Sequence, residues 1–280
     1  MAAKGRQLLR MWRLYARMDW RFMTQDAFGA VVTTVSELIV ALSALAGTAL
    51  LAMRFGGVGT LSSEEVLVFL AFHLLSEGLE HMLLGGYNIN SISRRIGRGQ
   101  VDHMLLQPVP LWMQLCTEGF LPFSGCQQLL GGIVALCLFA PRAGVAITPA
   151  WLALLAVLAI TRLAMHVAVG YLAGSAAFYS PVGCEEITDV VYSLCGTVAR
   201  YPLSGMPATM VNVLLTVLPL GLFSYLPALI LLGRVDALVT AWPIGVALVL
   251  CALAKRIFMK GMKHYVQVGS ARYKGMGHRS

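Results

Sequence analysis

The sequence predicts an all-α polytopic membrane protein with six transmembrane helices. Its 280 residues are 58% hydrophobic and 12% charged, whereas a soluble domain has about 25% charged residues. Apolar runs of about 20 residues recur, which is the length that a helix needs to cross a bilayer. The polar stretches at the two termini are too short to bury a core, so we expect a single transmembrane domain over residues 1–280.

The positions of the basic residues predict the orientation of the chain. In a soluble protein the net charge of +8 would suggest nucleic acid, but here the basic residues flank apolar runs. Most of the 21 Lys and Arg residues precede the first run, lie in one loop or follow the last run. Such residues concentrate on the cytoplasmic side of membranes. We therefore expect both termini in the cytoplasm, contact with membrane lipids and no nucleic-acid partner.

The spans follow an N-terminal interfacial segment. Residues 4–28 interleave basic residues with aromatic and aliphatic ones, which predicts an amphipathic helix lying in the interface. Before the fifth predicted span, Ser180 and Pro181 favour the start of a helix, with Glu185 and Glu186 in its first turns. The predicted spans cover residues 30–53, 66–87, 111–139, 150–179, 182–201 and 237–254.

Residues 202–232 are the least regular apolar run. Pro207, Pro219 and Pro227 divide the run, so neither half supplies the roughly 20 residues of a span. We expect two short helices that enter the outer half of the membrane and return, a re-entrant hairpin that protein must bury. The alternative is one kinked span, which would place the basic C-terminus outside and is disfavoured by the positive-inside rule.

A basic loop separates the second and third predicted spans. Residues 91–106 predict an amphipathic helix that ends before Pro108. Its aliphatic face contains Ile92, Ile96, Val101, Leu105 and Leu106. Arg94, Arg95 and Arg98 lie opposite. One interpretation is a docking element for a partner; the other is an ordinary interfacial helix whose arginines meet lipid phosphate.

The second predicted span contains a cluster of ionisable residues. His73, Glu77, Glu80 and His81 fall within about 100° of one helix face. Such groups are costly in a membrane and usually face a cavity or a partner helix. Three interpretations remain open: they line a translocation path or subunit interface, they bind a metal ion, or they pair with one another and with Arg162.

Motifs for ATP binding and for hydrolysis are absent from the sequence. It contains no G-x-x-x-x-G-K-[ST] phosphate-binding loop and no nucleophile elbow. If ATP drives this protein, a separate subunit must bind it.

Three stretches in a fixed order resemble ABC transporter permeases, most closely the type-2 export superfamily. They are the loop 92–108, the segment 200–203 with the following 225–234, and the C-terminal segment 261–270. The resemblance implies that the loop is a coupling helix seated in a groove on an ATPase. It also implies that two permease subunits, identical or homologous, form the membrane half of an exporter in the bacterial cytoplasmic (inner) membrane.

The resemblance assigns roles to particular residues. It implies a chain that is not itself an enzyme and holds no cofactor, because ATP and Mg bind to the partner ATPase. The expected coupling residues are Ile92, Arg94, Arg95, Ile96, Arg98, Gly99, Asp102 and Leu105, with the arginines meeting acids of the ATPase. The expected path residues are His73, Glu77, Glu80, His81 and Pro219, the last in an external gate.

Two other functions compete with the exporter. One is an intramembrane metalloenzyme that uses His73, Glu77, Glu80 and His81. The other is a membrane anchor that recruits a cytoplasmic partner and transports nothing. The transported substrate stays open among drugs, lipid-like molecules, peptides and polysaccharides.

Overall fold

The computed structural model describes residues 2–85 and 91–268, and this part of the chain is mostly helical. The predicted end of the second span at Tyr87 and the end of the C-terminal stretch at Gly269 and Ser270 lie outside the described residues. The α-helices are α1 Ala2–Gln25, α2 Ala27–Phe55, α3 Ser63–Leu84, α4 Ile92–Gly97, α5 Gln100–Leu105, α6 Leu111–Thr117, α7 Gln127–Phe139, α8 Pro149–Gly174, α9 Ile187–Ala199, α10 Ala208–Thr216, α11 Tyr225–Leu231 and α12 Ala241–Val268.

Short irregular elements connect the helices. A two-stranded antiparallel hairpin, β1 Gly57–Val58 and β2 Leu61–Ser62, joins α2 to α3. The 3₁₀ helices are Ser175–Phe178, Leu203–Gly205, Pro219–Leu222 and Ala237–Thr240. The predicted hairpin region 202–232 therefore contains the short helices α10 and α11, while its insertion into the membrane stays a prediction.

In residues 2–85 and 91–268, four helical segments are long and apolar enough to cross a membrane: Ala27–Phe55, Ser63–Leu84, Pro149–Phe178 and Leu238–Val268. The other two predicted spans correspond to α7 and α9, which have 13 residues each. At about 1.5 Å per residue such a helix is near 20 Å long, short of the about 30 Å hydrocarbon core. The count of six spans therefore stays a prediction.

Local sequence signals fix the ends of the long helices. The side chain of Asp26 accepts a hydrogen bond from the Gly29 amide at 2.9 Å and caps α2. Ser62 and Glu65 form a capping box at the start of α3. Gly56 ends α2 in the left-handed conformation, with φ 75°, which glycine adopts without steric cost.

The prediction of one continuous span over residues 111–139 is wrong. The chain leaves the helix after Thr117 and resumes at Gln127. Pro122 disfavours helical geometry at the residue before it, and Gly119 and Gly125 weaken the helix further. The Asp19 carboxylate of α1 accepts hydrogen bonds from the Phe123 amide (2.8 Å), the Ser124 amide (3.1 Å) and the Ser124 hydroxyl (2.6 Å).

The prediction of a fifth span starting at residue 182 is wrong at its N-terminus. The helix begins at Ile187, and turns occupy the residues after Ser180. Gly183 is a poor helix former. Glu185 and Glu186 face arginines of the basic loop instead of occupying the first turns of a helix.

The single helix predicted over residues 91–106 is two helices, α4 and α5. Gly99 separates them with φ 69°, a left-handed conformation that suits glycine. The break turns α5 so that Val101 and Met104 pack with Ile92 and Ile96 in one buried cluster. Leu105 and Leu106, which were expected on the same face, are exposed.

The helices pack as two close pairs, α3 with α7 and α8 with α12. Glycines allow the first pair to approach. A Cβ atom on Gly78 would lie 2.0 Å from the Leu129 amide nitrogen, and one on Gly132 would lie 2.3 Å from the Leu75 amide nitrogen. Close approach through small residues is a common way for membrane helices to associate.

The elements meet at two opposite ends of the bundle. At the arginine end, defined by α4, α5 and the start of α6, the end of α12 packs through Phe258 and Tyr265. At the hairpin end, defined by β1–β2 and the segments before α10 and α12, the Ser204 hydroxyl donates to the Val58 carbonyl at 2.7 Å.

We predict that Gly132→Ala lowers the thermal unfolding midpoint, whereas Gly131→Ala does not. The new methyl group at residue 132 must push α3 away, and overpacking of this kind costs about 1–3 kcal/mol. At residue 131 the methyl group would meet only the Leu74 side chain at an ordinary 3.5 Å. Thermal unfolding of both variants in detergent, followed by tryptophan fluorescence, checks this; equal midpoints would contradict it.

Candidate functional site

Two arginines of the basic loop pair with acids that precede α9. The Arg94 Nε atom donates to Glu186 Oε1 at 2.9 Å, and its Nη2 also contacts that carboxylate. The Arg98 Nε atom donates to Glu185 Oε1 at 2.6 Å. Hydrogen bonding from Arg94 lowers the pKa of Glu186, so this pair stabilises the fold at neutral pH and the stabilisation is lost as the pH falls through that lowered pKa.

The backbone strengthens the connection between α4 and α9. The buried Ser93 hydroxyl donates to the Glu185 carbonyl at 2.7 Å and accepts from the Thr188 amide at 3.3 Å. Gly97 lies so close to this segment that a Cβ atom would be 2.6 Å from the Pro181 carbonyl oxygen. Helix α4 and the start of α9 are therefore held together by side chains and backbone at once.

The third arginine joins the loop to the broken span. Arg95 donates from Nη1 to Glu118 Oε2 at 2.6 Å and from Nη2 to Glu118 Oε1 at 3.0 Å. Only 11% of the Arg95 side chain is exposed. A bidentate arginine–carboxylate pair fixes geometry as well as charge.

The structure changes the expected contacts of the coupling residues. Ile92 and Ile96 have 1% and 0% of their surface exposed, so they pack inside this chain and do not fill a partner's groove. Arg94, Arg95 and Arg98 meet acids of this chain in place of acids on an ATPase. Asp102 and Leu105 are exposed, and Gly99 forms the break. The coupling role of the eight residues stays a prediction.

The polar residues of α3 contact several different elements, and the first of them belong to a buried cluster. His73 is fully buried, and its Nδ1 atom lies 3.0 Å from the Ser224 hydroxyl. The Arg162 Nη1 atom of α8 donates to the same hydroxyl at 3.1 Å and to the His73 carbonyl at 3.2 Å. Glu77 lies 3.2 Å from His73 Nε2. This buried cluster joins α3, α8 and the segment before α11.

The expectation of a carboxylate partner for Arg162 is wrong within the described residues. No carboxylate oxygen there lies within 4.0 Å of its guanidinium nitrogens, and its acceptors are a hydroxyl and a carbonyl. Glu77 instead pairs with Arg200 of α9, Oε1 to Nη2, at 3.3 Å. Of the pairings expected among the α3 cluster and Arg162, the described residues show two: His73 with Glu77, and His73 with Arg162.

Glu80 and His81 point to different helices. Glu80 Oε2 lies 2.6 Å from His166 Nδ1 on α8. His81 Nε2 lies 3.8 Å from Glu37 Oε2 on α2, and the Gln127 amide donates to that same oxygen at 2.6 Å. In residues 2–85 and 91–268, no three His, Cys, Asp or Glu side chains come together as a metal site. The geometry therefore gives the metalloenzyme alternative no site in this part of the chain.

A cavity of about 270 Å³ opens beside this cluster, between α3, α8 and α9. Its lining includes the charged and histidine side chains of Glu77, Glu80, Arg162, His166, Asp189 and Arg200. The Nε atoms of Arg162 and Arg200 are buried without a hydrogen-bond partner among the described residues. A polar cavity in an apolar helix bundle is an unusual and costly arrangement that is typical of a functional site.

Pro219 does not line the cavity. It begins the 3₁₀ helix Pro219–Leu222, which leads directly into Phe223 and Ser224. Phe223 lines the cavity and packs edge-on against His166, with ring centroids 6.1 Å apart. The predicted gate residue Pro219 therefore lies near the site but outside its lining, and Phe223 and Ser224, which follow its short helix, are the residues that belong to the site.

The sequence did not predict the contacts of four residues at the candidate site: Glu185, Glu186, Arg200 and Ser224. The adjacent acids were the available signal, since two acids and two arginines in separate polar segments suggest pairing. Ser224 gave no such signal, because a hydroxyl in an apolar run is common.

Comparison with known proteins gives one match. A protein-family model described as "ABC-2 family transporter protein" matches residues 38–269. The matched range includes α3 to α12, and so both the basic loop and the polar cavity. No curated protein and no solved structure matches the chain.

We predict that Ser224→Ala lowers the free energy of unfolding by about 1–3 kcal/mol, because it removes a buried acceptor of Arg162 and the partner of His73. Ser193→Ala is the control, since Ser193 lines the same cavity but is exposed. Denaturant titration of both variants measures the difference, and equal stability of the two would contradict the buried cluster.

Proposed function

We propose that this chain, which belongs to the ABC-2 family of transporter proteins, is the permease subunit of an ATP-driven exporter. The ATPase is a separate chain, and ATP and Mg bind there. The permease lies in the bacterial inner membrane with its arginine end and both termini in the cytoplasm. The exporter contains two permease subunits and two ATPases.

The connection between the basic loop and α9 is the observation that supports this function best. Arg94 and Arg98 hold the segment before α9, and Tyr192 and Gly196 of α9 line the polar cavity together with Arg200, which directly follows this helix. A displacement of the loop therefore moves a wall of the cavity. In an exporter, ATP binding on the partner supplies that displacement.

The exposed part of the loop is the surface that we assign to the ATPase. Leu106 and Asp102 point away from the chain's own core, whereas Ile92 and Ile96 anchor the loop to it. An apolar side chain with an adjacent charge is a common composition at the centre and rim of an interface. The loop thus has one side for the partner and one for the permease.

The open side of the cavity favours a second permease subunit. The side chains of Glu77 and Arg200 are 31% and 37% exposed within the helix bundle. Charged groups at this depth do not face lipid and instead lie against protein or water. A second copy placed against α3 and α9 encloses both cavities in one polar path.

The membrane-anchor alternative predicts a different result for substitutions in the polar cavity. An anchor needs the exposed loop but has no use for a polar cavity in the membrane. Its loop substitutions would therefore release the partner, while cavity substitutions would have no effect on any ATP-dependent change.

We predict that Leu106→Glu, at a loop residue that is 83% exposed and outside the apolar groove between α5, α8 and α12, lowers recovery of a P-loop ATPase with the detergent-solubilised permease by about tenfold, the effect of losing about 1.4 kcal/mol of binding free energy. Arg142→Glu, an exposed change at the hairpin end, is the control. Quantitative co-purification from the native membrane is the measurement. An ATPase that is absent even from wild type contradicts the exporter.

We predict that Arg98→Glu keeps the ATPase bound but abolishes its effect on the cavity, and that Arg98→Glu with Glu185→Arg restores that effect. Ser193→Cys in the cavity mouth reports the effect as an ATP-dependent change in maleimide labelling rate, compared with a parent without that cysteine. Loss of the ATPase in the single variant, without rescue in the swap, would instead place Arg98 at the ATPase interface.

A further inference from the structure

A second, apolar groove lies at the arginine end of the bundle. It has a volume of about 720 Å³ and lies between the α5–α6 region and the helices α8 and α12. Its lining includes Leu105, Trp112, Tyr171, Phe258 and Met259, which are almost entirely apolar on the groove side. The size and lining match those of sites that hold one extended organic ligand, about 300–1,000 Å³.

The groove has one charged residue, Lys255 of α12. Lys255 is exposed, and in the described part of the chain no carboxylate lies within 4.0 Å of its ammonium group. The adjacent Arg256 and the nearby Lys260 make this stretch of α12 basic. On α12 the lysine has apolar lining residues on both sides along the helix, Cys251 before it and Phe258 and Met259 after it.

We propose that this groove binds an anionic phospholipid, with an acyl chain along the apolar lining and the phosphate group at Lys255. An acyl chain with one negative head group matches an almost entirely apolar lining that contains a single lysine. Basic pockets between membrane helices on the cytoplasmic side bind anionic head groups. A lysine there extends its charge to the interface while its methylene groups cover apolar surface.

The bound lipid joins parts of the fold that otherwise touch little at this point. It contacts Leu105 and Trp112 of the loop side and Lys255 and Met259 of α12. Two of these, Leu105 and Trp112, belong to the segment that leads from the basic loop into the broken span. The lipid therefore fills the space between the loop and the last helix. This inference holds whether or not the chain is an exporter.

Quenching of Trp112 by brominated lipids tests the site. The full chain is reconstituted in vesicles with brominated phosphatidylglycerol or brominated phosphatidylcholine, and the contribution of Trp112 is the difference between wild type and Trp112→Phe. We expect brominated phosphatidylglycerol to quench that contribution at about fivefold lower mole fraction than phosphatidylcholine, as one interfacial lysine predicts.

Charge variants separate the site from ordinary lipid contact. Lys255→Glu should abolish the fivefold preference and Lys255→Arg should keep it. Lys260→Glu, an exposed change on the same helix outside the groove, should keep it as well. Equal quenching by both lipids in wild type overturns the proposal. So does an absence of quenching by either, which would mean that protein, such as a second copy, fills the groove.

Discussion

Pairing of charged side chains within the apolar helix bundle determines much of this architecture. An unpaired charge in low-dielectric surroundings is costly, so each must reach a partner on another element. Arg95 reaches Glu118, Glu77 reaches Arg200 and Glu80 reaches His166. These pairs join helices that hydrophobic packing alone, being non-directional, does not hold in a fixed register.

The break between α6 and α7 follows from the same constraint. A helix interrupted in an apolar environment leaves backbone amides without partners, which is tolerated only where other groups bind them. Asp19 supplies acceptors for two of these amides, and the Met82 carbonyl accepts from the Leu121 amide at 2.8 Å. The N-terminal helix α1 is therefore part of the solution to the break, and not merely an attachment to the surface.

Hydropathy and turn chemistry were enough to predict a helical membrane protein, a basic loop and two short helices around Pro219. They failed where a local signal lay inside an apolar run, as at Pro122, or where the partner is distant in sequence. Arg98 and Glu185 are 87 residues apart, and no periodicity relates them. Amphipathicity predicts which residues of the loop share a face, but it does not distinguish solvent, a partner and the chain itself as what each face contacts. It also does not reveal that Gly99 divides the predicted helix into α4 and α5.

In the proposed exporter, helix α9 is the element through which a loop at one end of the bundle would affect a cavity further along it. This helix is short, with 13 residues, and four of them are buried against the bundle. Ser93 of α4 binds the Thr188 amide in its first turn, two arginines bind the acids just before it, and Arg200, which directly follows it, pairs with Glu77. A rigid helix fixed at both ends by polar contacts transmits a small displacement along its axis. Because the loop end and the cavity end are parts of one helix, the coupling requires no chain of side-chain rearrangements between them.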